Sequence, residues 1–147
     1  MNRLITIKPG WAFAIYMVLD TICVGMGMGV PIFCIFFGFL VGWYIVRMIV
    51  ATTEQIREVL RKFLLYAAVA SAFTFVVMTV IWGRCFLMLF DPGMDYANFG
   101  IPMILYDPKA SFIGWLVLMI VVSPFLQLLA TLFGSHLTLL TWLKSRA

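Results

Sequence analysis

Four long apolar stretches dominate this chain, at about residues 11–29, 31–50, 63–90 and 111–134. Each has the roughly 20 residues that a helix needs to cross a hydrocarbon layer about 30 Å thick. Hydrophobic residues make up 65% of the 147 residues and charged residues 11%, against about 45–50% and about 25% in soluble domains. A soluble domain of this size would leave much of that apolar surface wet. In lipid, each segment must satisfy its own backbone hydrogen bonds, which favours helices. The sequence therefore predicts an all-α polytopic membrane protein. Residues 1–147 form a single membrane domain, a four-transmembrane-helix bundle whose first partner is the lipid bilayer.

The punctuation between the stretches sets the expected connections. Gly25-Met26-Gly27-Met28-Gly29 followed by Val30-Pro31 predicts a tight hairpin between the first two helices, with Pro31 in the first turn of the second. Residues 52–62 carry Glu54, Arg57, Glu58, Arg61 and Lys62 at helical spacings and read as a cytoplasmic helical segment. Thr52 and Gln55 have the form of a capping box at its start. Asp91-Pro92-Gly93 ends the third span, and an ordered outer loop is expected over residues 91–110. Its apolar residues, Phe99, Ile101, Met103, Ile104 and Leu105, predict that it folds back over the bundle mouth. Gly134-Ser135 marks the expected inner edge of the fourth span, and beyond it the chain either continues as helix or lies along the interface. Arg3 and Lys8 before an apolar run imitate a signal peptide, but Asp20 interrupts the run and Pro9-Gly10 reads as a helix start. An uncleaved first helix is the expectation.

The basic residues orient the bundle. Arg3, Lys8, Arg47, Arg57, Arg61, Lys62, Lys144 and Arg146 fall on one side, and only Arg84 and Lys109 on the other. The positive-inside rule makes the first side cytoplasmic, with both termini inside a multi-pass cell (plasma) membrane protein. The same rule accounts for the formal net charge of +4 without invoking nucleic acid.

Each span carries a stripe of small or polar residues at steps of three and four. Gly25, Gly29, Gly38, Gly42, Ser123, Gln127 and Thr131 are the expected packing positions, with Gly38 and Gly42 forming Gly-xxx-Gly. Such faces line a bundle interior, a homo-oligomer interface or a contact within a larger membrane complex. Pro124 predicts a kink, because it cannot donate to the carbonyl of Ile120; Ser123 or Gln127 is placed to satisfy that group.

Asp20 is the most informative residue. A charged aspartate at a span's centre costs about 2.5–3.5 kcal/mol on insertion scales, so something must offset it. Arg84 is the expected intramembrane partner, reaching inward from the end of the third span. Cys23, Met26, Met28, Cys34 and Cys85 are soft donors expected at similar depth, a candidate Cu(I) site at the outer leaflet. The acidic outer loop matches no known cation-binding spacing, and His136 is the single histidine. No nucleophile motif, phosphate loop or metalloprotease helix is present, so no catalytic residue and no cofactor is assigned.

These observations rank three functions. The first is an accessory or assembly subunit packing through its small-residue helix faces. The second is a homo-oligomeric transporter or channel for a small ion or solute using Asp20. The third is soft-metal handling.

Overall fold

The computed structural model describes residues 8–26, 30–53 and 55–145. Five helices follow in order: α1 (Pro9–Met26), α2 (Val30–Val50), α3 (Ile56–Leu87), α4 (Pro108–Val117) and α5 (Ser123–Lys144). A 3-10 turn, Met88–Phe90, extends α3. A π turn, Leu118–Val122, joins α4 to α5 without a break. Four helical segments are long and apolar enough to cross a membrane: Pro9–Met26, Pro31–Val50, Ile56–Phe90 and Pro108–Lys144. The expected Gly/Pro hairpin falls on residues 27–29, so it lies outside the described residues together with Met28 and Gly29.

The closest packing joins α2 to α5, which run parallel. The Gly-xxx-Gly face makes it possible. A Cβ added at Gly38 would stand 2.7 Å from the Gln127 carbonyl oxygen and 2.8 Å from Ala130 Cβ. One added at Gly42 would overlap the Thr131 carbonyl oxygen and stand 2.8 Å from the Ser135 amide nitrogen. Gly134 answers from the other side, against the backbone of Phe39 at 3.0–3.1 Å. Ser135 Oγ donates to the Gly42 carbonyl at 3.3 Å across the seam. Gly38 and Gly42 are thus consumed inside the fold, which is one of the two uses their spacing allows. Gly25 differs, since an added Cβ there would meet nothing within 4 Å.

Below the glycine contact, Ile45, Val46 and Ile49 of α2 close on Val59 and Phe63 of α3 and Leu139 of α5. Above it, Val24, Cys34, Met78 and Met119 form a second cluster. Because Val24 meets Met78, α1 runs parallel to α3.

Three sequence expectations change at the helix ends. Residues 52–62 are not one helix: α3 begins at Ile56, and its N-cap Gln55 makes no side-chain capping bond. The capping box fails because both threonines are engaged elsewhere. Thr52 Oγ1 donates to the Ile49 carbonyl at the end of α2, and Thr53 Oγ1 donates to Glu58 Oε2, each at 2.8 Å. The third span is therefore longer than 63–90 and begins inside the charged segment. For the fourth, the course left open beyond Gly134-Ser135, a continued helix or an interfacial segment, is a continued helix: α5 runs to Lys144. Gly134 is a packing contact in the middle of that helix, where a missing Cβ serves close approach rather than termination.

The kink at Pro124 takes the form of the π turn. Ser123 Oγ donates to the Leu118 carbonyl at 2.9 Å, so the hydroxyl serves a group two residues before Ile120. The Pro124 carbonyl itself accepts from Ser71 Oγ of α3 at 2.8 Å.

The α3–α4 loop is tied to the helices it joins. Tyr96 Oη donates to the Met88 carbonyl at 2.9 Å, and Trp115 Nε1 to the Pro102 carbonyl at 2.8 Å. Tyr96 and Phe99 pack on the buried Phe112 of α4. Ser111 Oγ both donates to and accepts from the backbone of Leu105. Each aspartate accepts from its own local backbone. Asp91 bonds the amide of Gly93, Asp95 those of Ala97 and Asn98, and Asp107 those of Lys109 and Ala110 as the N-cap of α4.

Two predictions follow from this packing. Gly42→Val forces the α2–α5 backbones apart and lowers unfolding stability in detergent by about 1–3 kcal/mol, the usual range for overpacking; Gly25→Ala, measured alongside, leaves it unchanged. In the loop, hydrogen bonds from the Asn98 side chain hold the Asp95 carboxyl below the usual carboxylate range. The turn's extra order is complete above about pH 4, where aspartate is ordinarily ionised. It disappears as pH falls through the lowered value, read as faster amide exchange at Ala97 and Asn98.

Candidate functional site

The polar residues of the interior converge on one point. Asp20 and Tyr16 lie one turn apart on the same face of α1. Thr74 faces them from α3 and Gln127 from α5. Asp20 is 1% exposed, and Thr74 and Gln127 are fully buried.

The bonds form a directed chain. Thr74 Oγ1 donates to Asp20 Oδ2 at 2.9 Å. A hydroxyl has one proton to give, so the 2.8 Å contact between Thr74 Oγ1 and Tyr16 Oη is donated by the tyrosine. Tyr16 Oη in turn accepts from Gln127 Nε2. Donation runs from α5 through α1 and α3 and ends on the Asp20 carboxyl. The Ala70 carbonyl stands behind the chain as a longer alternative acceptor for both hydroxyls, at 3.2 and 3.3 Å.

Magnitudes show why Asp20 is tolerated there. Inserting a charged aspartate at mid-span costs about 2.5–3.5 kcal/mol. A hydrogen bond to a charged group contributes about 1.5–3 kcal/mol. One such bond, polarised by two more behind it, offsets most of the cost.

Arg84 does not take part. It is exposed near the end of α3, and the ion pair among the described residues joins Lys62 to Glu58 at 3.9 Å. The physical reason is depth. Asp20 sits level with Thr74, and ten further residues of α3 place Arg84 about 15 Å away along the axis. The expected Asp20–Arg84 pairing is replaced by a neutral donor chain.

The chain leaves one group open. Gln127 Oε1 is buried without a hydrogen-bond partner. Trp82 Nε1 is in the same state next to the Val24–Cys34 cluster. Thr131 Oγ1 bonds back to the Gln127 carbonyl at 2.8 Å and keeps its own helix turn closed.

The soft donors do not assemble as expected. Cys34 is buried with Met78 and Met119, and Cys23 lies within Coulombic reach of it. Met26, however, is 60% exposed. Cys85 lies seven residues beyond Met78 on α3, about 10 Å further along the helix. All three cysteines are free thiols. Among the described residues no group of three His, Cys, Asp or Glu side chains could hold a metal ion. His136 is exposed on α5.

A second feature lies on the other side of Tyr16. Its ring forms part of the floor of a groove of about 510 Å³ between the first half of α1, the second half of α2 and the facing part of α3. Phe13, Leu40, Trp43 and Val69 are among its walls. Its lining is drawn from three helices, so no single stretch of sequence announces it.

No known protein family, characterised protein or solved structure matches the chain. Its reading therefore rests on its own geometry.

The donor chain makes a contrast that can be measured. Tyr16→Phe leaves the Gln127 amide and the Thr74 hydroxyl without their partner and lowers unfolding stability by about 1–3 kcal/mol. Arg84→Ala, exposed and apart from Asp20, changes it by less than about 0.5 kcal/mol. A loss of stability in Arg84→Ala that matches Asp20→Asn would restore the ion pair.

Proposed function

We propose that this multi-pass membrane protein is an accessory or assembly subunit of a larger membrane complex, with both termini on the cytoplasmic side of the cell membrane. The observation that carries the reading is a headpiece. α1 ends two residues after Val24 and α2 begins four before Cys34, at the level of Met78 and Met119. From that level α3 and its 3-10 turn run on for twelve residues, and α4 begins eleven residues earlier at Pro108. Less the two and four residues by which α1 and α2 pass that level, both project about 10–15 Å beyond the shorter helices, with the α3–α4 loop at their tips.

This headpiece exposes large apolar side chains beside its aspartates. Tyr106 is wholly exposed, Phe90 73% and Leu87 71%, and Met103, Ile104 and Leu105 are exposed beside Tyr106. A contiguous apolar surface on an ordered loop is the usual mark of an interaction site. The small-residue faces supply its support instead of the contact itself, since Gly38, Gly42 and Gly134 hold α2 and α5 together. The clustering of Lys8, Arg47, Arg57, Arg61, Lys62 and Lys144 at the opposite end supports the orientation.

The double variant Leu105→Asp, Tyr106→Ser tests this reading. It should reduce the size of the complex on native gels of solubilised membranes while leaving the isolated chain's unfolding midpoint unchanged. An unchanged complex counts against the headpiece as its contact.

The open Gln127 Oε1 favours a second reading, a small transporter or channel using Asp20. In it Asp20→Asn abolishes ion or solute flux in vesicles while the complex stays intact. In the subunit reading the same variant weakens the fold.

A further inference from the structure

We propose that the groove between α1, α2 and α3 is a binding site for one anionic glycerophospholipid, independently of the headpiece. Its volume, about 510 Å³, falls within the range of ligand pockets, about 300–1,000 Å³. Its walls are almost wholly apolar and aromatic, which suits an acyl chain. The groove runs from Pro9, Met48 and Tyr66 at the helix ends to Tyr16 and Leu19 further along.

The charge at the helix ends selects the headgroup. The Arg47 guanidinium stands 5.8 Å from the centroid of Trp43, a groove wall, which places an exposed cation beside the groove. Lys8 directly precedes Pro9 and is exposed. Lys62 lies one turn before Tyr66 on the same face of α3, its weak contact to Glu58 leaving it half-exposed. The groove begins at the first turn of α1, whose N-terminus adds partial positive charge. No acidic residue lines the groove. An acyl chain seated against Phe13, Leu40 and Val69 brings its phosphate to Arg47 at the membrane surface. A zwitterionic lipid would bring a choline to the same cations and lose that advantage. A second copy's helix would need an acidic or neutral end at this level, whereas Arg57, Arg61 and Lys62 outweigh Glu58 and leave the start of α3 net basic.

The experiment uses the full chain, solubilised with an equimolar mixture of phosphatidylglycerol and phosphatidylcholine of identical chains. Native mass spectrometry reads the lipid retained, and a photoreactive acyl chain maps where it sits. One phosphatidylglycerol should be retained with about fivefold preference, as expected for one basic contact at a membrane surface. Arg47→Gln should remove most of that preference. Ala12→Phe, which fills the groove, should reduce retention of both lipids. Cross-links should fall on groove peptides of α1 and α2. The proposal is overturned by equal retention of the two lipids, by a preference that survives Arg47→Gln, or by cross-links confined to other helix faces. A lipid-free dimer cross-linked through the groove would overturn it too and assign the face to a second copy. If Ala12→Phe proves unstable, the Arg47→Gln ratio and the cross-link map of the unmodified chain decide the matter.

Discussion

The contact between α2 and α5 comes first, because the other helices depend on it. Water drives no association between helices in lipid, so packing distance matters more than apolarity. Gly38, Gly42 and Gly134 remove the side chains that would hold the backbones apart, and both helices gain contact along their length. That pairing presents one composite face, bearing Ser123, Gln127 and Leu139 beside Cys34, Ile45 and Ile49, against which α3 settles. α1 then attaches mainly to α3. Its few buried residues, Tyr16, Asp20 and Val24, are the ones that meet the interior.

Attachment by so small an interface explains the polarity of the site. An apolar α1 surface would slide or rotate on α3 with little change in energy, since lipid competes equally for it. The chain from Gln127 to Asp20 favours one register, because shifting α1 by a residue would take Tyr16 and Asp20 from their partners on α3 and α5 and leave the Asp20 carboxyl without its donor in a medium that offers no water. The same tyrosine closes the polar chain with its hydroxyl and floors the groove with its ring.

Much of this was legible in the chain. Four spans, the stripe residues and the anomaly of Asp20 all follow from hydropathy and spacing. What was not legible is which stripe meets which. Gly-xxx-Gly announces close approach but carries no address, and its partner face on α5 mixes glycine with alanine, serine and threonine. Charge and approximate depth point to Arg84 as the partner of Asp20, whereas Thr74 and Gln127 compensate the carboxyl without charge and so leave no mark in a count of ions. The helix ends misled for a related reason. Thr52 with Gln55 has the right spacing for a cap, but Thr52's hydroxyl finishes the preceding helix instead of starting the next. Gly134, in step with Gln127 and Thr131, is a contact and not a stop.

The π turn at Leu118–Val122 has a consequence of its own. A helix repeats every 3.6 residues, so one surplus residue advances everything beyond it by about 100°. α5 is clamped by its glycine, and the loop is clamped to α4 through Phe112 and Trp115. The surplus residue is what lets both clamps hold on a single continuous rod. Restoring regular winding by removing one residue would keep the rod intact and turn α4, with Phe112 and Trp115, a quarter-turn or more about its axis, against the loop's anchor at Met88. The azimuth of α4 is thus set by the phase of one helical turn.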